Sequence, residues 1–446
     1  MFAYQLIFYA MNNPCLTTGF RAVCFDFGLK NFWIAWRGYL KLLYRRFLQK
    51  YLGGKMLLKS GLLLHTRIPL ISSTYRTSKV CMRKMSTTDV ATATPVYPKF
   101  IPVEQSEITS VSKSEEGFKF RLVSYNILAQ VYVKSSKFPY SPAPCLKWKA
   151  RSSVVLDVLK SLDADILCLQ ELDEYDNFYK EKVEKHGYSS IYIKRSGRKS
   201  DGCGIFYKHK KLELIIEEKI DYNDLANLIL DESSRVEQKE KALDTNNKEQ
   251  GKTQGDLGDP NDPYVRLKRD CVGIMAAFKF KNPYQHYVIV ANTHLYWDPE
   301  WADVKLAQAK YLLSRVAQFK KMVSDKFECT PSVLIAGDFN SIPGDKVYEY
   351  LLSGGSMAVP SPECSENVPI PLCSVYAYTR GEPPFTNYTP GFTGTLDYIL
   401  FSPSEGIEPV GYLDLPGAES ADVKGGLPNY CHPSDHLPIG AEFAVV

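Results

Sequence analysis

Residues 332–341 read SVLIAGDFNS. Val333, Leu334, Ile335 and Ala336 make a short apolar run, as a strand buried inside a sheet does. Gly337 ends the run. Asp338 and Asn340 follow two positions apart, on one side of the chain if it stays extended. A carboxylate and an amide are thereby delivered to the rim of a buried sheet. Hard cations such as Mg²⁺ take oxygen ligands of this kind, and a nearby carboxylate can orient an attacking water. Taken alone, the segment reads equally well as a strand followed by an Asp/Asn turn.

The same design recurs on either side. Lys119 to Leu128 (KFRLVSYNIL) alternates and then runs apolar, and Asn126 stands where it ends. Trp148 to Leu162 is an amphipathic helix with Val155, Val158, Leu159 and Leu162 on one face. Ile166 to Leu169 is a second buried strand, finishing in Gln170 and Glu171. Short strands are expected at 188–194, 202–208 and 271–280. Tyr287 to Thr293 presents His294, and residues 299–323 form a helix with Pro299 near its first position. The final strands are Thr395 to Phe401, which carries Asp397, and Ile439 to Ala444. Between them the loop CHPSDHLPI brings Asp435 and His436. Helices and strands alternate early, and strand pairs dominate between about 188 and 293. That pattern favours a layered α/β domain over an all-parallel barrel.

The 446 residues are 45% hydrophobic and 23% charged, a globular composition with room for one large core or two domains. No apolar run reaches transmembrane length, so no stable membrane insertion is expected. The net charge of +4 conceals an asymmetry. Residues 1–88 hold fourteen Lys/Arg against one acid, Asp26, so that +13 there leaves −9 for the rest. This basic stretch, rich in Ser and Thr late and in Arg and Leu from Met56 onward, resembles an organellar transit peptide. It reads as a leader, either a transit peptide addressed to mitochondrion or chloroplast or a disordered segment. Residues 89–117 read as a Thr/Pro/Ser-rich linker. Residues 222–262, with ten acids and five bases, read as a mobile surface insertion in a catalytic domain spanning 118–446. In so acidic a domain, a nucleic acid would be gripped by local basic patches. The eleven Cys include no CxxC pair and no Cys/His cluster at zinc spacing, which argues for reduced thiols and against structural zinc.

Asn126, Glu171, His294, Asp338, Asn340, Asp397, Asp435 and His436 are the polar residues gathered at strand ends. Their oxygens suit one or two Mg²⁺, and two metals can clamp the attacking and leaving oxygens of a phosphoryl displacement. A histidine beside a carboxylate is a poised donor and acceptor. Asp397 inside an apolar strand needs a partner, because an unpaired buried charge is expensive, and His436 is a natural one. Singly, His294 also reads as a core histidine and Asn126 as a turn cap. Neither a G-x-S-x-G elbow nor a P-loop occurs. The residues therefore point to metal-assisted phosphoester hydrolysis.

The pieces SYNIL (124–128), LCLQEL (167–172), NTHL (292–295), GDFNS (337–341), TLDYIL (395–400) and SDHLPI (434–439) resemble the endonuclease/exonuclease/phosphatase superfamily in order and spacing. DGCGIFYK (201–208), THLYWDPEWADVKLAQ (293–308) and PGFTGTLDYILFS (390–402) narrow the resemblance to the carbon catabolite repressor 4 group of deadenylases, near nocturnin and the Angel proteins, in a plant-type form. The resemblance implies a four-layer α/β sandwich like that of deoxyribonuclease I, with two packed β-sheets flanked by helices. It implies Mg²⁺-dependent 3′→5′ removal of poly(A) tails with release of 5′-AMP, Mn²⁺ being a substitute. By the same resemblance Glu171 binds Mg²⁺ with Asn126 beside it. Asp338 orients or deprotonates the water and holds a second metal, Asn340 contacts metal or phosphate, and His294 stabilises the transition state. His436, paired with Asp397, contacts the scissile phosphate, and Asp435 lies on the substrate side. Pro299 and Phe392 match positions that sandwich an adenine, although Phe392 also reads as a loop core aromatic. The implied partners are poly(A) RNA and deadenylase-complex subunits, without the leucine-rich repeats through which the largest members dock. The implied location is cytoplasm and nucleus. A dinucleotide phosphatase, a 2′,5′-oligoadenylate phosphodiesterase and a non-catalytic RNA-binding scaffold are the rival readings.

Overall fold

The computed structural model describes residues 95–103, 118–228, 259, 262–281, 283–354, 368–403 and 405–446. Residues 1–88, expected to be a leader, and most of the acidic segment lie outside the described residues. In chain order the strands are β1 (Phe100–Pro102), β2 (Lys119–Asn126), β3 (Ile166–Gln170), β4 (Tyr188–Lys194), β5 (Gly202–Lys208), β6 (Leu212–Asp221), β7 (Val272–Phe280) and β8 (Tyr287–His294). They continue with β9 (Ser332–Asp338), β10 (Cys373–Ser374), β11 (Asn387–Thr389), β12 (Phe392–Gly394), β13 (Asp397–Phe401), β14 (Ile407–Leu413) and β15 (Ile439–Val445). The helices are α1 (Trp148–Leu162), α2 (Lys180–Glu184), α3 (Pro263–Leu267), α4 (Ala302–Phe327), α5 (Lys346–Leu352) and α6 (Val375–Thr379).

A seven-stranded sheet runs β1-β14-β15-β2-β3-β5-β4 and a six-stranded sheet runs β10-β13-β9-β8-β7-β6, while β11 and β12 make a small ribbon. Each large sheet contains one parallel pair, β2 with β3 and β8 with β9. Parallel neighbours need a crossover, and α1 and α4 supply the two. The two βαβ units therefore send the C-terminal ends of four strands toward polar residues: Asn126, Gln170 with Glu171, His294, and Asp338.

The pleat explains the apolar run of β9. Leu334 and Ala336 face the other sheet, in a core with Leu122, Ile166, Ile274, Phe278, Val290 and Ile399. Val333 and Ile335 point the opposite way, onto Leu312, Leu313, Val316 and Phe319 of α4. On the far side, Val123, Tyr125, Leu167 and Leu169 cover Val155, Val158, Leu159 and Leu162 of α1. A strand covered on both faces cannot alternate polar with apolar. The layers are helix, sheet, sheet, helix, the sandwich expected from the sequence.

Four expectations need correcting. The linker contains β1, which pairs with β14 at a sheet edge, where a proline is tolerated. Arg121 stacks on Phe100 there, its Cζ 4.6 Å from the ring centre. Tyr222, expected in the acidic insertion, is fully buried and shares a 2.7 Å hydrogen bond with Thr293, and Ala226 is buried as well. The long helix starts at Ala302, because Pro299–Trp301 form a 3₁₀ turn capped by Asp298. Finally, β6 and β14 were not foreseen. LELIIEEKID of β6 is a sheet edge with charged residues on its open face, so its pattern reads weakly. None of the helices among the described residues is long and apolar enough to cross a membrane.

Candidate active site

Strand pairing alone assembles half of the site. In the parallel β8–β9 register His294 lies beside Asp338, and in the antiparallel β9–β13 register Asp338 lies opposite Asp397. Gly337 permits this approach. Its φ is +151°, and a Cβ there would overlap the Thr293 carbonyl of β8. Beyond Asp338 the chain turns instead of staying extended, which corrects the expectation of two side chains on one side. Asn340 takes a left-handed φ of +49°, and its backbone N–H donates to Asp338 Oδ1 at 2.9 Å. Its side-chain amide donates to the Leu295 carbonyl at 3.0 Å, so Asn340 fastens the β9 loop to the β8 loop. Lys305, only 4% exposed on α4, donates to the Asn340 carbonyl at 2.7 Å.

The other sheet contributes Asn126 and Glu171. Asn126 is fully buried, and its Nδ2 donates both to Asp338 Oδ2 at 3.0 Å and to Glu171 Oε1 at 3.2 Å. Its oxygen accepts the Leu128 N–H at 3.0 Å. In this arrangement Asn126 is a donor between two carboxylates. Glu171 sits at φ +53° and accepts the Ala129 N–H on Oε2 at 2.9 Å.

Asp397 and His436 are partners, as its burial in β13 required. His436 Nδ1 and Asp397 Oδ2 are 2.8 Å apart, and Thr386 donates its hydroxyl to the same oxygen at 2.6 Å. His436 Nε2 faces Asp338 Oδ2 at 3.7 Å, and His294 Nε2 faces that oxygen at 3.6 Å. Asp435 is half-buried and holds the loop through its carbonyl, which accepts the Tyr388 N–H at 3.1 Å. Pro299 is exposed. Phe392 is 43% exposed and, with Ile342, lies against Gly394, so it is a rim residue and not a loop core aromatic.

Burial governs the electrostatics. It pushes the Glu171 carboxyl up to about 7, with the charges of Asp435 and Asp201 adding to the rise. Asp338 is also raised, by burial and then by Asp397, against the pull of both histidines and Asn126. Burial lowers His294 to about 4, so that imidazole is neutral at pH 7. For His436 burial works the same way, but the negative charges of Asp397 and Asp338 outweigh it and hold the ring well above its ordinary value. The site therefore combines one neutral imidazole, one imidazolium and several carboxylates.

These residues fit a divalent cation. One ligand atom each from Asp338, Asp397 and His436 lies within 4.8 Å of the others. Asp397 Oδ1 is buried with no hydrogen-bond partner among the described residues, and burial and neighbouring carboxylates raise two further carboxyls. A set of carboxylate oxygens suits Mg²⁺ or Mn²⁺ better than a soft metal.

Sequence reasoning missed three supports. Asn292 of β8 donates to the Leu169 and Gly204 carbonyls of the other sheet, each at 2.9 Å, and accepts from Gln170 at 2.7 Å. Arg151, 2% exposed on α1, donates to the carbonyls of Ile127 and Leu128 and to that of Pro433. It thereby clamps the Asn126 loop to the His436 loop. Arg195, buried beside Asp201, donates to the Asp270 carbonyl at 3.0 Å. The only sequence signal for any of them is a cation or amide inside an apolar pattern.

The Endonuclease/Exonuclease/phosphatase family model matches residues 123–436. The chain belongs to this family. As an enzyme of the endonuclease/exonuclease/phosphatase family it has informative relatives. It is 63% identical over 331 residues to Carbon catabolite repressor protein 4 homolog 4 of Arabidopsis thaliana, across 74% of this chain and 78% of that one. It is 29% identical over 383 residues to the CCR4-Not complex 3′-5′-exoribonuclease subunit Ccr4 of Schizosaccharomyces pombe. That match covers 75% of this chain but only 50% of the relative, so the chain spans about half of the Ccr4 subunit's length. Among solved structures, ANGEL2, a 2′,3′-cyclic phosphatase, superposes with a TM-score of 0.58 at 25% identity, covering 78% of this chain and 99% of its own. The human nocturnin catalytic domain gives a TM-score of 0.51 at 21% identity over 78% and 97% of the two chains, a likeness of fold.

Proposed function

We propose that this protein is a Mg²⁺-dependent 3′→5′ exoribonuclease that shortens the poly(A) tails of mRNA and releases 5′-AMP. The observation that carries the reading is the likeness, over about three quarters of the chain, to proteins named as carbon catabolite repressor 4 homologues and 3′-5′-exoribonuclease subunits. Glu171, Asp338 and Asp397 would hold the cation, which when bound supplies positive charge against phosphate oxygens and acidifies water. The chain's own groups do the rest. Asn126 fixes the spacing of Glu171 and Asp338 by bonding to both. Cationic His436, anchored by Asp397 through Nδ1, directs Nε2 toward a phosphate oxygen, where added negative charge in the transition state is stabilised. Asp338, between His294 and His436, takes the proton of the attacking water. Neutral His294 gives or accepts a hydrogen bond beside it without adding charge. Pro299 and Phe392 offer flat apolar faces to the terminal adenine, which suits stacking without hydrogen-bond readout.

The test uses the full chain with Mg²⁺ and a 5′-labelled RNA ending in twenty adenosines. A tail-less RNA, NADPH, 2′,5′-oligoadenylate and an RNA with a 2′,3′-cyclic phosphate end run alongside. We expect a ladder that shortens through the adenosines and stalls at the body. Glu171→Gln and Asp338→Asn should each lose at least about 10²–10³-fold in rate, the scale of removing one group that stabilises developing charge. Phosphate release from NADPH, cleavage of the 2′,5′ linkage or opening of the cyclic phosphate, without shortening, would move the substrate and keep the site. Full activity in either variant would overturn the site. The same reading assigns poly(A) RNA and deadenylase-complex subunits as partners and places the protein in cytoplasm and nucleus. A fluorescent fusion of the full chain separates that address from an organelle reached through the basic leader.

A further inference from the structure

Trp297 is 63% exposed, three residues beyond His294 on the loop that leaves β8. Val272 of β7 pairs with His294, so the segment that enters β7, residues 262–271, reaches the sheet at the same end. That segment carries Arg266, Lys268 and Arg269. It meets the Trp297 loop through stacked rings and cations. The Cζ atoms of Arg266 and Arg269 both lie 4.0 Å from the ring centre of Trp301, and Arg269 also lies 5.5 Å from that of Tyr296. Tyr296 is in turn 6.1 Å from Trp297 and 5.9 Å from Trp301, centre to centre.

The two arginines are not equivalent. Arg266 is neutralised by a two-pronged pair with Asp303, at 2.6 and 2.7 Å. Arg269 makes only a 3.3 Å contact to the Lys268 carbonyl, and its Nε is buried with no hydrogen-bond partner among the described residues. No carboxylate pairs with it among the described residues, in a chain whose residues beyond 88 sum to −9. Lys268 is exposed next to it. An exposed indole joined through Tyr296 to Arg269, with Lys268 next in the chain, is an arrangement that stacks a base and pairs a phosphate.

We propose that Trp297, Arg269 and Lys268 form a second contact for single-stranded RNA, outside the catalytic centre. One base upstream of the scissile linkage stacks on Trp297, and Arg269 and Lys268 take the phosphates that follow. This deepens the nuclease reading and rests on it for the direction of the strand, since a 3′ end held at His436 leaves only upstream nucleotides to reach the patch. Arg266 is excluded because its charge is spent on Asp303.

The experiment compares the full-length wild-type chain with Trp297→Ala and Arg269→Gln on two substrates, an RNA of twenty adenosines and a diadenylate too short to reach the patch. Trp297→Ala should raise KM for the 20-mer about tenfold, within the value of one base–aromatic stack, and leave the diadenylate within about twofold. Arg269→Gln should flatten the salt dependence of the 20-mer KM by about 0.7 in log–log slope, the release of one counterion from a single strand. Equal losses on both substrates, or none on either, would overturn the proposal. Binding of the 20-mer in EDTA, read by tryptophan quenching, separates this claim from the nuclease reading. Quenching in the wild type that is lost in Trp297→Ala supports the contact even if no shortening occurs. Shortening with unchanged binding in both variants refutes the contact and leaves the nuclease standing.

Discussion

Glu171 is held where an ionised carboxylate is costly, and the consequence is a pH-dependent stability. Its folded value of about 7 exceeds the ordinary 4.5, so between those values the folded state binds more protons than the unfolded chain. Stability from this group is present below about 4.5 and is lost as pH rises through 7. Glu171→Gln removes the cost, which the displacement bounds at about 3 kcal/mol. In EDTA the variant should therefore melt higher than wild type at pH 8 and equally at pH 4, while losing activity. Calorimetry at the two pH values decides. Equal melting temperatures at pH 8 would mean that water already solvates the carboxylate. At this scale, much of the site was legible. Asp338, Asp397, Glu171 and both histidines sit at or beside strand ends, where an apolar run breaks into polar residues. What the sequence could not show was bond direction. Asn126 donates to carboxylates from both sheets, and Arg151 reaches carbonyls on two remote loops, contacts that exist only after folding.

The decisive element is the parallel pair β8–β9, with Gly337 as its point of closest approach. An alanine there meets the Thr293 carbonyl and must also accept φ +151°. Gly337→Ala should lower unfolding free energy by about 2–4 kcal/mol, combining backbone strain with a disturbed ladder. Because the clash lies one residue before His294 and Asp338 in the register, the proposed activity on poly(A) should fall by far more than stability predicts. Urea unfolding and the poly(A) assay on the same preparation test the difference, and a stable, fully active variant would refute it. Elements with strong periodicity were readable, as α1 and β9 were. β1 and β6 were not, because an edge strand makes ladder bonds on one side only and needs no apolar signature.

Across the whole molecule, two sheets meet in an apolar core that becomes polar at one end. There the Asn292 amide crosses from β8 to two carbonyls of the other sheet. Asn292→Ala takes a buried donor from both carbonyls, while the Gln170 amide keeps Ser124 Oγ and the Cys168 carbonyl as acceptors. Each unsatisfied group costs about 1–3 kcal/mol, so a loss of about 2–4 kcal/mol is expected after partial relaxation. Chemical denaturation reads it directly, and a loss below 1 kcal/mol would show that Asn292 merely fills space. The layered class was legible from the order of strands and helices. The pairing of the sheets was not, since Leu169 and Asn292 are far apart in sequence.

Asn126 holds Glu171 of one sheet and Asp338 of the other with a single amide. The catalytic pocket is therefore also the seam of the sandwich. A cation seated between those two carboxylates would act as a rivet across the layers. Whatever prises the layers apart at that end, whether heat, denaturant or a misfitting core residue, must also pull the carboxylates out of range of each other. Loss of turnover would then be the earliest sign of the sheets parting, ahead of any change in secondary structure.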